Sequence, residues 1–488
     1  MGKTAIKIIL IGVGPHSQRI YLPAIKKLQQ KWDVQVSLIV DLKDKEIQIK
    51  DYLKTAEWDA EQLFVDRFEN GLPNELSSEL NYFVKKNGIN GVIIATEPLA
   101  HKCYADWALE AGLNILMDKP ITTRKNVTTD STQAEGILED YMHLFKKYKK
   151  LQEKKNTIFS INVQRRYHPG FNIVSKKLKE IAVKTNCPIT SIQSTHCDGQ
   201  WRLPTEIVTQ DYHPYNSGYG KVSHSGYHIF DAIYNFYKSS KVIGKEVDEM
   251  EVVSSFVRPN GFLKQLGESD YDKYFGEEYK TVNKYTDQEL RKIYEDYGEI
   301  DVSAMVSLMK DGEVVSNLSI NLLHNGFGRR NWVTPGSDLY KGNGRVKHEY
   351  HNIEQGPFQN IQIHSYQSSD KHDNNSKEDF ELGGNNHFDI YIFRNIGVIG
   401  GEQPLEVIKI NDIAKYYGME DDKLIVEQAK TKVVEEFFAF MLGIIEKNKL
   451  TSNIDDHLFP VTLMSSIYAS HAKRLKKENP IFSTGVTL

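Results

Sequence analysis

Within roughly the first 165 residues, short apolar runs alternate with segments of helical character, and this constrains the fold more than any other feature. The apolar runs are residues 7–11, 34–40, 63–65, 91–96, 114–117 and 157–163. Continuous apolar runs are typical of strands that a parallel sheet buries on both faces. Strands that alternate with helices, here predicted over 18–28, 77–86, 101–110 and 137–151, indicate a doubly wound parallel sheet.

The first predicted strand leads directly into the sequence GVGPHS at residues 12–17, close to the dinucleotide-binding pattern G-x-G-x-x-G. In that pattern the first glycine makes a tight turn, the second lets backbone approach a pyrophosphate, and the helix N-terminus attracts its charge. The third position serves helix packing, where a small serine is tolerated. The candidate cofactor-binding residues here are Gly12, Gly14, Pro15, His16 and Ser17. A tight turn without a ligand is the alternative.

Asp41 ends the second predicted strand, where a dinucleotide-binding fold places an acid on the adenosine ribose. An acid there repels a 2′-phosphate, so NAD is favoured over NADP. A capping or loop aspartate is the alternative.

Two more strand ends carry polar residues. Thr96, Glu97, Pro98 and His101 follow the fourth strand, and Lys119 follows the fifth within Asp-Lys-Pro. Ligands of open parallel sheets lie beyond the carboxyl ends of strands, so these are candidate cofactor residues. Lys119 can also act as a fixed positive charge or proton donor. An isolated Asp-Lys-Pro is more often a solvated turn.

Together these motifs resemble the glucose–fructose oxidoreductase, inositol dehydrogenase and MocA (Gfo/Idh/MocA) family. The matching features are the Gly12-x-Gly14 turn, Ala-Thr-Glu-Pro-x-x-His at 95–101, the helix ending at Gly112, and Asp-Lys-Pro where the family usually has Glu-Lys-Pro. The resemblance implies NAD(P)-dependent hydride transfer, a sugar, inositol or nucleotide-sugar substrate, and a homo-oligomer, dimer or tetramer, formed through a large sheet.

Residues 218–231 match the family's glycine-rich entry followed by Asp-x-x-x-His, whose histidine is the catalytic acid/base. By position that histidine is His228, while His224 replaces the aspartate. A helix over 224–237 would place His224, His228 and Asp231 on one face. An aspartate would fix the tautomer of the imidazole, so either His224 carries protons itself or the chemistry is altered. Buried structural histidines, and a zinc pair at i, i+4 that lacks a convincing third ligand, are the alternatives, and we predict no metal.

Arg166, Tyr167, Trp201 and Asp231 are candidate substrate-binding residues. In the family, the junction after the sixth strand carries an arginine–aromatic pattern that lines the substrate side of the cleft. Arginines that clamp this junction through salt bridges are the alternative.

The predicted fold class is α/β: an N-terminal Rossmann domain over 1–165, then an α+β domain over 166–488 with a large, mostly antiparallel open sheet. Alternation over 301–309 and 313–322 predicts a hairpin in which Val314, Leu318, Ile320 and Leu322 share a face. Polar stretches near 261–297 and 367–386 are predicted as insertions or loops. Apolar spacing predicts amphipathic helices over 424–445 and 457–475, which are candidates to pack back on the first domain.

A net charge of −4 among 488 residues gives no electrostatic case for nucleic acid or membrane as a partner. Three cysteines and no apparent signal peptide suit a reducing, cytoplasmic environment.

We therefore expect hydride transfer between NAD and a secondary hydroxyl of a sugar or polyol, with Lys119 and His228 facing each other at the nicotinamide. Two alternatives stay open. One is an NAD-retaining lyase or glycosidase that oxidises its substrate transiently. The other is a non-catalytic nucleotide-binding relative in which His224 has broken the catalytic set.

Overall fold

The computed structural model describes residues 5–69, 71–334, 345–368, 386–409, 411–413 and 425–486. The chain divides into two compact units. The first takes in Met1–Thr123, Leu138–His168 and Asp421–Leu458, and the second takes in Arg124–Ile137, Pro169–Glu420 and Phe459–Leu488. Each unit is built on its own sheet.

The sheet of the first unit has six strands, all parallel, in the order β3-β2-β1-β4-β5-β6. They are β1 (Ile6–Ile11), β2 (Val34–Leu42), β3 (Glu61–Val65), β4 (Gly91–Ile94), β5 (Asn114–Met117) and β6 (Phe159–Ile161). The predicted doubly wound sheet is confirmed. Since the strand order reverses between β1 and β4, their carboxyl ends flank the place where such sheets bind ligands.

In the part of the chain that the structure describes, the sheet of the second unit has nine strands and is mostly antiparallel, as predicted, with only β7 and β10 running parallel. The strands are β7 (Ser191–Gln200), β8 (Glu249–Val257), β9 (Asp301–Lys310), β10 (Glu313–Asn325), β11 (Val346–Gln355), β12 (Gln359–Ser368), β13 (Asn386–Arg394), β14 (Leu405–Ile408) and β15 (Phe482–Gly485). Their order is β14-β13-β12-β11-β7-β10-β9-β8-β15.

The named helices, in chain order, are α1 (Leu22–Gln29), α2 (Glu46–Thr55), α3 (Asn74–Asn87), α4 (Pro98–Glu110), α5 (Ser131–Gln152), α6 (Pro169–Thr185), α7 (Pro204–Thr209), α8 (Tyr227–Ser239), α9 (Pro259–Gln265), α10 (Glu268–Phe275), α11 (Glu277–Val282), α12 (Asp287–Ile293), α13 (Ile396–Ile399), α14 (Ile425–Met441) and α15 (Leu458–Leu475). Single 3₁₀ turns lie at Lys43–Lys45, Gln164–Tyr167, Lys447–Lys449 and Ile454–Asp456.

Helix α14 returns from the C-terminal part of the chain to the core of the first unit. Ala429, Val433 and Phe437 are buried there with residues of β1 and β2. The helix ends at Met441, so Ile444, which lies within the helix predicted over 424–445, is beyond its end and is 59% exposed. Leu424 and the side chain of Val426, also in that prediction, lie outside the described residues.

The helix after the glycine turn is not the continuous α-helix predicted over 18–28. A π-helical turn, Ser17–Tyr21, precedes α1. Pro23, at the start of α1, has no N–H to donate and its ring crowds the carbonyl four residues back. A wider turn before the proline accommodates both effects.

The predicted hairpin forms as β9 and β10, but Val314 does not share a face with the other three predicted residues. A register shift between Val314 and Ser316 reverses the alternation of side chains at the start of β10. Val314 is therefore 48% exposed, while Leu318, Ile320 and Leu322 are buried.

The predicted insertion near 261–297 is helical, made of α9 to α12. Three of its tyrosines, Tyr271, Tyr279 and Tyr294, are buried core residues, while Tyr274 is exposed. Most of the other predicted insertion, from 369 to 385, lies outside the described residues.

Candidate functional site

The glycine turn has the backbone geometry that close approach of a ligand requires. Gly12 has φ +94°, and a Cβ there would lie 2.5 Å from the carbonyl oxygen of Ala95, so only glycine fits. Ser17 donates its hydroxyl to the Gly12 carbonyl at 2.6 Å and closes the turn. At Gly14 no atom lies within 4 Å of where a Cβ would be. This backbone is open to a pyrophosphate.

Asp41 braces that turn. Its Oδ2 accepts the backbone N–H of Val13 at 2.6 Å, and its Oδ1 accepts that of Leu42 at 2.6 Å. Burial raises the pKa of Asp41, while these two hydrogen bonds act against the rise. A carboxylate has about four acceptor positions, so two bonds leave capacity for ribose hydroxyls.

Among the residues after β4, Thr96 and Glu97 are accessible to solvent, whereas His101 is buried. Thr96 is half-buried and Glu97 is exposed, at the carboxyl end of the strand where α4 begins with Pro98. His101, in contrast, is completely buried and tied to backbone. Its Nδ1 lies 2.7 Å from the Pro120 carbonyl and its Nε2 lies 3.0 Å from that of Thr96.

Burial lowers the pKa of His101, while the contacts to the Pro120 and Thr96 carbonyls act against that shift. These contacts hold the turn, with its cis Lys119–Pro120 bond, that carries Lys119. The role of His101 in cofactor binding stays a prediction.

Lys119 lies two residues beyond β5 and is half-buried. The preceding residue, Asp118, is held in a polar network. It accepts the hydroxyl of Tyr21 at 2.5 Å and the Nδ2 of Asn162 at 2.9 Å on the same oxygen, Oδ1, which lies 3.8 Å from Nε2 of His16.

Burial would raise the pKa of Asp118, but His16, Tyr21 and Lys119 together hold it below its usual value. Burial also lowers the pKa of His16 to about 4, so this imidazole is neutral at pH 7. At that pH the hydrogen bonds and the Lys119 charge keep Asp118 ionised. Sequence reasoning missed Tyr21, Asp118 and Asn162 as members of this cluster; the position of Asn162 at a strand end was the available signal.

Arg166 and Tyr167 direct their polar groups into the first unit. Arg166 is 4% exposed, pairs with Asp456 at 3.4 Å and donates to the carbonyl of Thr451 at 3.2 Å. The Tyr167 hydroxyl donates to Glu436 at 2.6 Å. These contacts favour the alternative of a salt-bridged clamp over a substrate wall.

The histidine stretch of the second unit begins with a π-helical turn, Val222–Gly226, before α8. His224 therefore lies in a wider turn than the predicted α-helix. The spacing i, i+4, i+7 of an α-helix then no longer places His224, His228 and Asp231 on one face by itself. His228 is half-buried, His224 is 2% exposed and Asp231 is completely buried.

His224 is surrounded by rings. Its centroid lies 4.6 Å from that of His213, 5.3 Å from Tyr219, 5.5 Å from His324 and 5.9 Å from Tyr215. His324 in turn connects to a carboxylate: its Nε2 lies 3.2 Å from Oδ2 of Asp198, while the Tyr215 hydroxyl lies 2.5 Å from its Nδ1.

A buried ion pair lies beside this cluster. The ammonium of Lys221, which is completely buried, donates to Oδ2 of Asp198 at 2.6 Å and to Nδ1 of His196 at 2.8 Å. Burial opposes ionisation of Asp198, but Lys221 holds the pKa of that carboxyl well below its usual value. Burial lowers the pKa of Lys221, and Asp198 acts against that shift. Sequence reasoning missed this pair, although Lys221 lies within the histidine stretch.

Glu299 caps the turn that carries His224. Its Oε1 accepts the Val222 N–H at 2.8 Å and the Tyr468 hydroxyl at 2.9 Å, and its Oε2 accepts the Thr128 hydroxyl at 2.8 Å. Burial raises its pKa to about 7. Nearby, a Cβ on Gly220 would lie 2.0 Å from the Glu299 carbonyl oxygen, so glycine is required there.

Trp201, predicted to contact substrate, packs against the helical insertion of the second unit. Its ring stacks with Tyr271 at 6.4 Å between centroids and lies 5.7 Å from Phe275, and its N–H donates to the Tyr271 hydroxyl at 3.3 Å. This side chain is half-buried.

Among the described residues, no group of three or more histidine, cysteine, aspartate or glutamate side chains is arranged to hold a metal ion. Within the same ranges, no helix is long and apolar enough to cross a membrane.

Residues 6–137 match the model of the GFO_IDH_MocA family, an oxidoreductase family with an NAD-binding Rossmann fold. The resemblance seen in the motifs is thus confirmed over residues 6–137. No curated protein matches the chain.

Three solved structures illustrate the similarity along the whole chain. An oxidoreductase from Agrobacterium radiobacter, in complex with NAD+, L-tartaric acid and magnesium, is 11% identical with a TM-score of 0.56, covering 99% of this chain and 98% of its own. Levoglucosan dehydrogenase with NADH and levoglucosan is 14% identical with a TM-score of 0.55, covering 99% and 100%. A putative myo-inositol dehydrogenase from Sinorhizobium meliloti is 12% identical with a TM-score of 0.51, covering 99% and 100%. At these identities the likeness establishes the fold.

Proposed function

We propose that this chain, whose N-terminal domain belongs to an NAD-binding oxidoreductase family, is a dehydrogenase acting on a secondary hydroxyl of a sugar, inositol or sugar derivative. The observation that carries the proposal is the position of Lys119: a half-buried lysine just beyond the carboxyl end of β5 in an NAD-binding domain. In such sheets the ligand lies beyond the carboxyl ends of the strands.

The residues of the first unit fit NAD. The open backbone at Gly14 suits a pyrophosphate, and the helical segment that follows it presents N–H groups to that charge. Asp41 would accept the adenosine ribose hydroxyls, and its charge would disfavour a 2′-phosphate. We therefore expect NAD to bind more tightly than NADP.

When bound, NAD supplies the acceptor for a hydride. Lys119 would then place its ammonium near the substrate oxygen, where negative charge develops as the carbonyl forms. A preorganised positive charge stabilises that change without reorganisation of solvent. The His101 contact to Pro120 limits movement of this turn, so the charge stays in place.

His228 would take the hydroxyl proton. It is the half-buried histidine at the family's acid/base position, whereas His224 is enclosed by rings. In the direction of reduction, His228 would return the proton to the oxygen. His224 lies where the family has aspartate, so the usual carboxylate is not supplied from that position.

The substrate class is inferred from the relatives, two of which are dehydrogenases of levoglucosan and, as a putative assignment, of myo-inositol. Both compounds are polyhydroxylated rings with secondary hydroxyls. We also propose a homo-oligomer, the assembly implied by the family, with light scattering as its test.

The environment of His224 supports a second candidate function. A histidine among rings cannot orient its neighbour as an aspartate does, so a non-catalytic nucleotide-binding protein is the second candidate.

The test is to identify any co-purifying nucleotide by mass spectrometry and then to follow the absorbance of reduced nicotinamide with a panel of polyols and sugars. We expect bound NAD and formation of NADH with at least one panel member. Bound NAD with product formation but no net NADH would instead indicate transient oxidation. Bound NAD without any turnover would favour the non-catalytic alternative.

A further inference from the structure

Asn162 has one polar atom that the described structure does not satisfy. It follows β6 directly and is 4% exposed. Its Nδ2 lies 2.8 Å from the Tyr21 hydroxyl, 2.9 Å from Oδ1 of Asp118 and 3.3 Å from Nε2 of His16. Its Oδ1 is buried and has no hydrogen-bond partner among the described residues. Buried amide oxygens in native proteins are usually paired, so this one needs an explanation.

The neighbours of Asn162 fix the orientation of its amide. Asp118 is ionised and can only accept, so the group that faces it must be the NH₂. The Tyr21 hydroxyl donates to Asp118 and therefore offers a lone pair to the same NH₂. The neutral ring of His16 also offers a lone pair. A flipped amide would set its oxygen against the Asp118 carboxylate. The unsatisfied oxygen thus follows from the network around it.

The place of this oxygen in the sheet indicates which ligand group would meet it. In a sheet of order β3-β2-β1-β4-β5-β6, a dinucleotide lies across the reversal between β1 and β4. The acid for the adenosine half, Asp41, is on β2. The nicotinamide half therefore lies toward the carboxyl ends of β4, β5 and β6, and Asn162 is the first residue after β6.

We infer that Oδ1 of Asn162 accepts a hydrogen bond from the carboxamide NH₂ of the nicotinamide and so selects and orients that ring. The inference rests on the proposed use of NAD. The carboxamide NH₂ can only donate and Oδ1 of Asn162 can only accept, so the two groups are complementary. Ribose hydroxyls at the same end of NAD are also donors, and an analogue that loses only the NH₂ separates the two.

The test measures binding without turnover, by titration calorimetry on the intact protein. The probes are NAD, 3-acetylpyridine adenine dinucleotide, in which a methyl group replaces the carboxamide NH₂, and nicotinic acid adenine dinucleotide, in which a carboxylate replaces the carboxamide. The unmodified protein is expected to bind NAD about tenfold more tightly than the acetylpyridine analogue, because the analogue leaves the buried oxygen unpaired. It should bind the acid analogue more weakly still.

Two variants complete the design. In Asn162→Ala, NAD and the acetylpyridine analogue should bind with Kd values within about twofold of each other, because the variant no longer offers an acceptor to either ligand. Asp41→Asn, at the adenosine half, should weaken both and keep their ratio. The comparison of the three dinucleotides on the unmodified protein still tests the inference if Asn162→Ala fails to fold.

Equal binding of NAD and the acetylpyridine analogue by the unmodified protein overturns the assignment of Asn162 and leaves NAD use intact. An unchanged ratio in a folded Asn162→Ala also overturns it. Absence of any NAD binding overturns both this inference and the proposed function.

Discussion

The backbone N–H of Val13 donates to Oδ2 of Asp41 at 2.6 Å, so the residue predicted to bind the cofactor ribose also holds the glycine turn. One carboxylate thereby links the end of β2 to the turn that follows β1. Cofactor choice and turn geometry depend on the same side chain.

Asp41→Asn separates these two roles, because an amide oxygen can still accept from Val13. We expect NAD to bind roughly tenfold more weakly, since hydrogen bonds to a charged acceptor are worth more than those to a neutral one. NADP should bind relatively better once the negative charge is removed. The measurement is the Kd of both cofactors. An unchanged preference for NAD would contradict the ribose role.

Glu299 is expected to make stability depend on pH. Its pKa is raised from 4.5 to about 7 in the folded protein, so between these values the folded state binds more protons than the unfolded chain. The free energy of unfolding should therefore fall as pH rises through this window, by up to about 3 kcal/mol. Asp301, whose pKa burial raises to about 6, contributes in the same direction.

Glu299→Gln is the matched variant, because a glutamine keeps an acceptor for Val222 and can donate to Thr128. Denaturant unfolding between pH 5 and pH 8 should show a smaller pH dependence in the variant than in the unmodified protein. Identical dependence in the two proteins would show that Glu299 does not titrate in this range.

The Lys221–Asp198 pair should tolerate loss of both charges better than loss of one. Lys221→Met leaves Asp198 buried without its ammonium, and breaking buried pairs in this way costs about 3–5 kcal/mol. Adding Asp198→Asn removes the stranded charge while keeping an acceptor for Ser225 and His324. We therefore expect the double variant to be more stable than Lys221→Met alone in urea unfolding. Additive losses would contradict the coupling.

His224 cannot orient His228 as an aspartate would, so in an active dehydrogenase the role that the sequence leaves for it is to carry protons itself through its ring nitrogens. His224→Phe keeps a ring of similar shape among His213, Tyr219 and His324 and removes the ionisable group. We expect kcat to fall about 100-fold with little change in Tm. Wild-type kcat in this variant would assign His224 to packing. Turnover that appears only in His224→Asp would favour the non-catalytic alternative.

The sequence predicts the sheet of the first unit well, because continuous apolar runs such as residues 7–11 and motifs such as Gly12-x-Gly14 depend on local chemistry. It does not predict the contacts of His101, since a motif position cannot show that both ring nitrogens face backbone carbonyls. The exposure of Val314 depends on a register shift with β9, a non-local pairing.

Contacts between distant segments account for the remaining differences. Lys221 and Asp198 are 23 residues apart and meet because β7 lies beside the turn before α8. Asn162, Tyr21 and Asp118 come from three separate segments, and their hydrogen bonds follow only from the order of the strands. Polar clusters of this kind carry no periodic signal in sequence.

The central proposal is that Lys119 and His228 act on the same hydroxyl. The most direct measurement is single-turnover formation of NADH, at saturating NAD, by Lys119→Met, His228→Asn and the double variant, with the exposed Lys85→Met as control. We expect each single variant to be slowed about 100-fold or more with NAD binding retained, and the double variant to be little slower than either. Wild-type rates in Lys119→Met, or losses that multiply in the double variant, would contradict the claim.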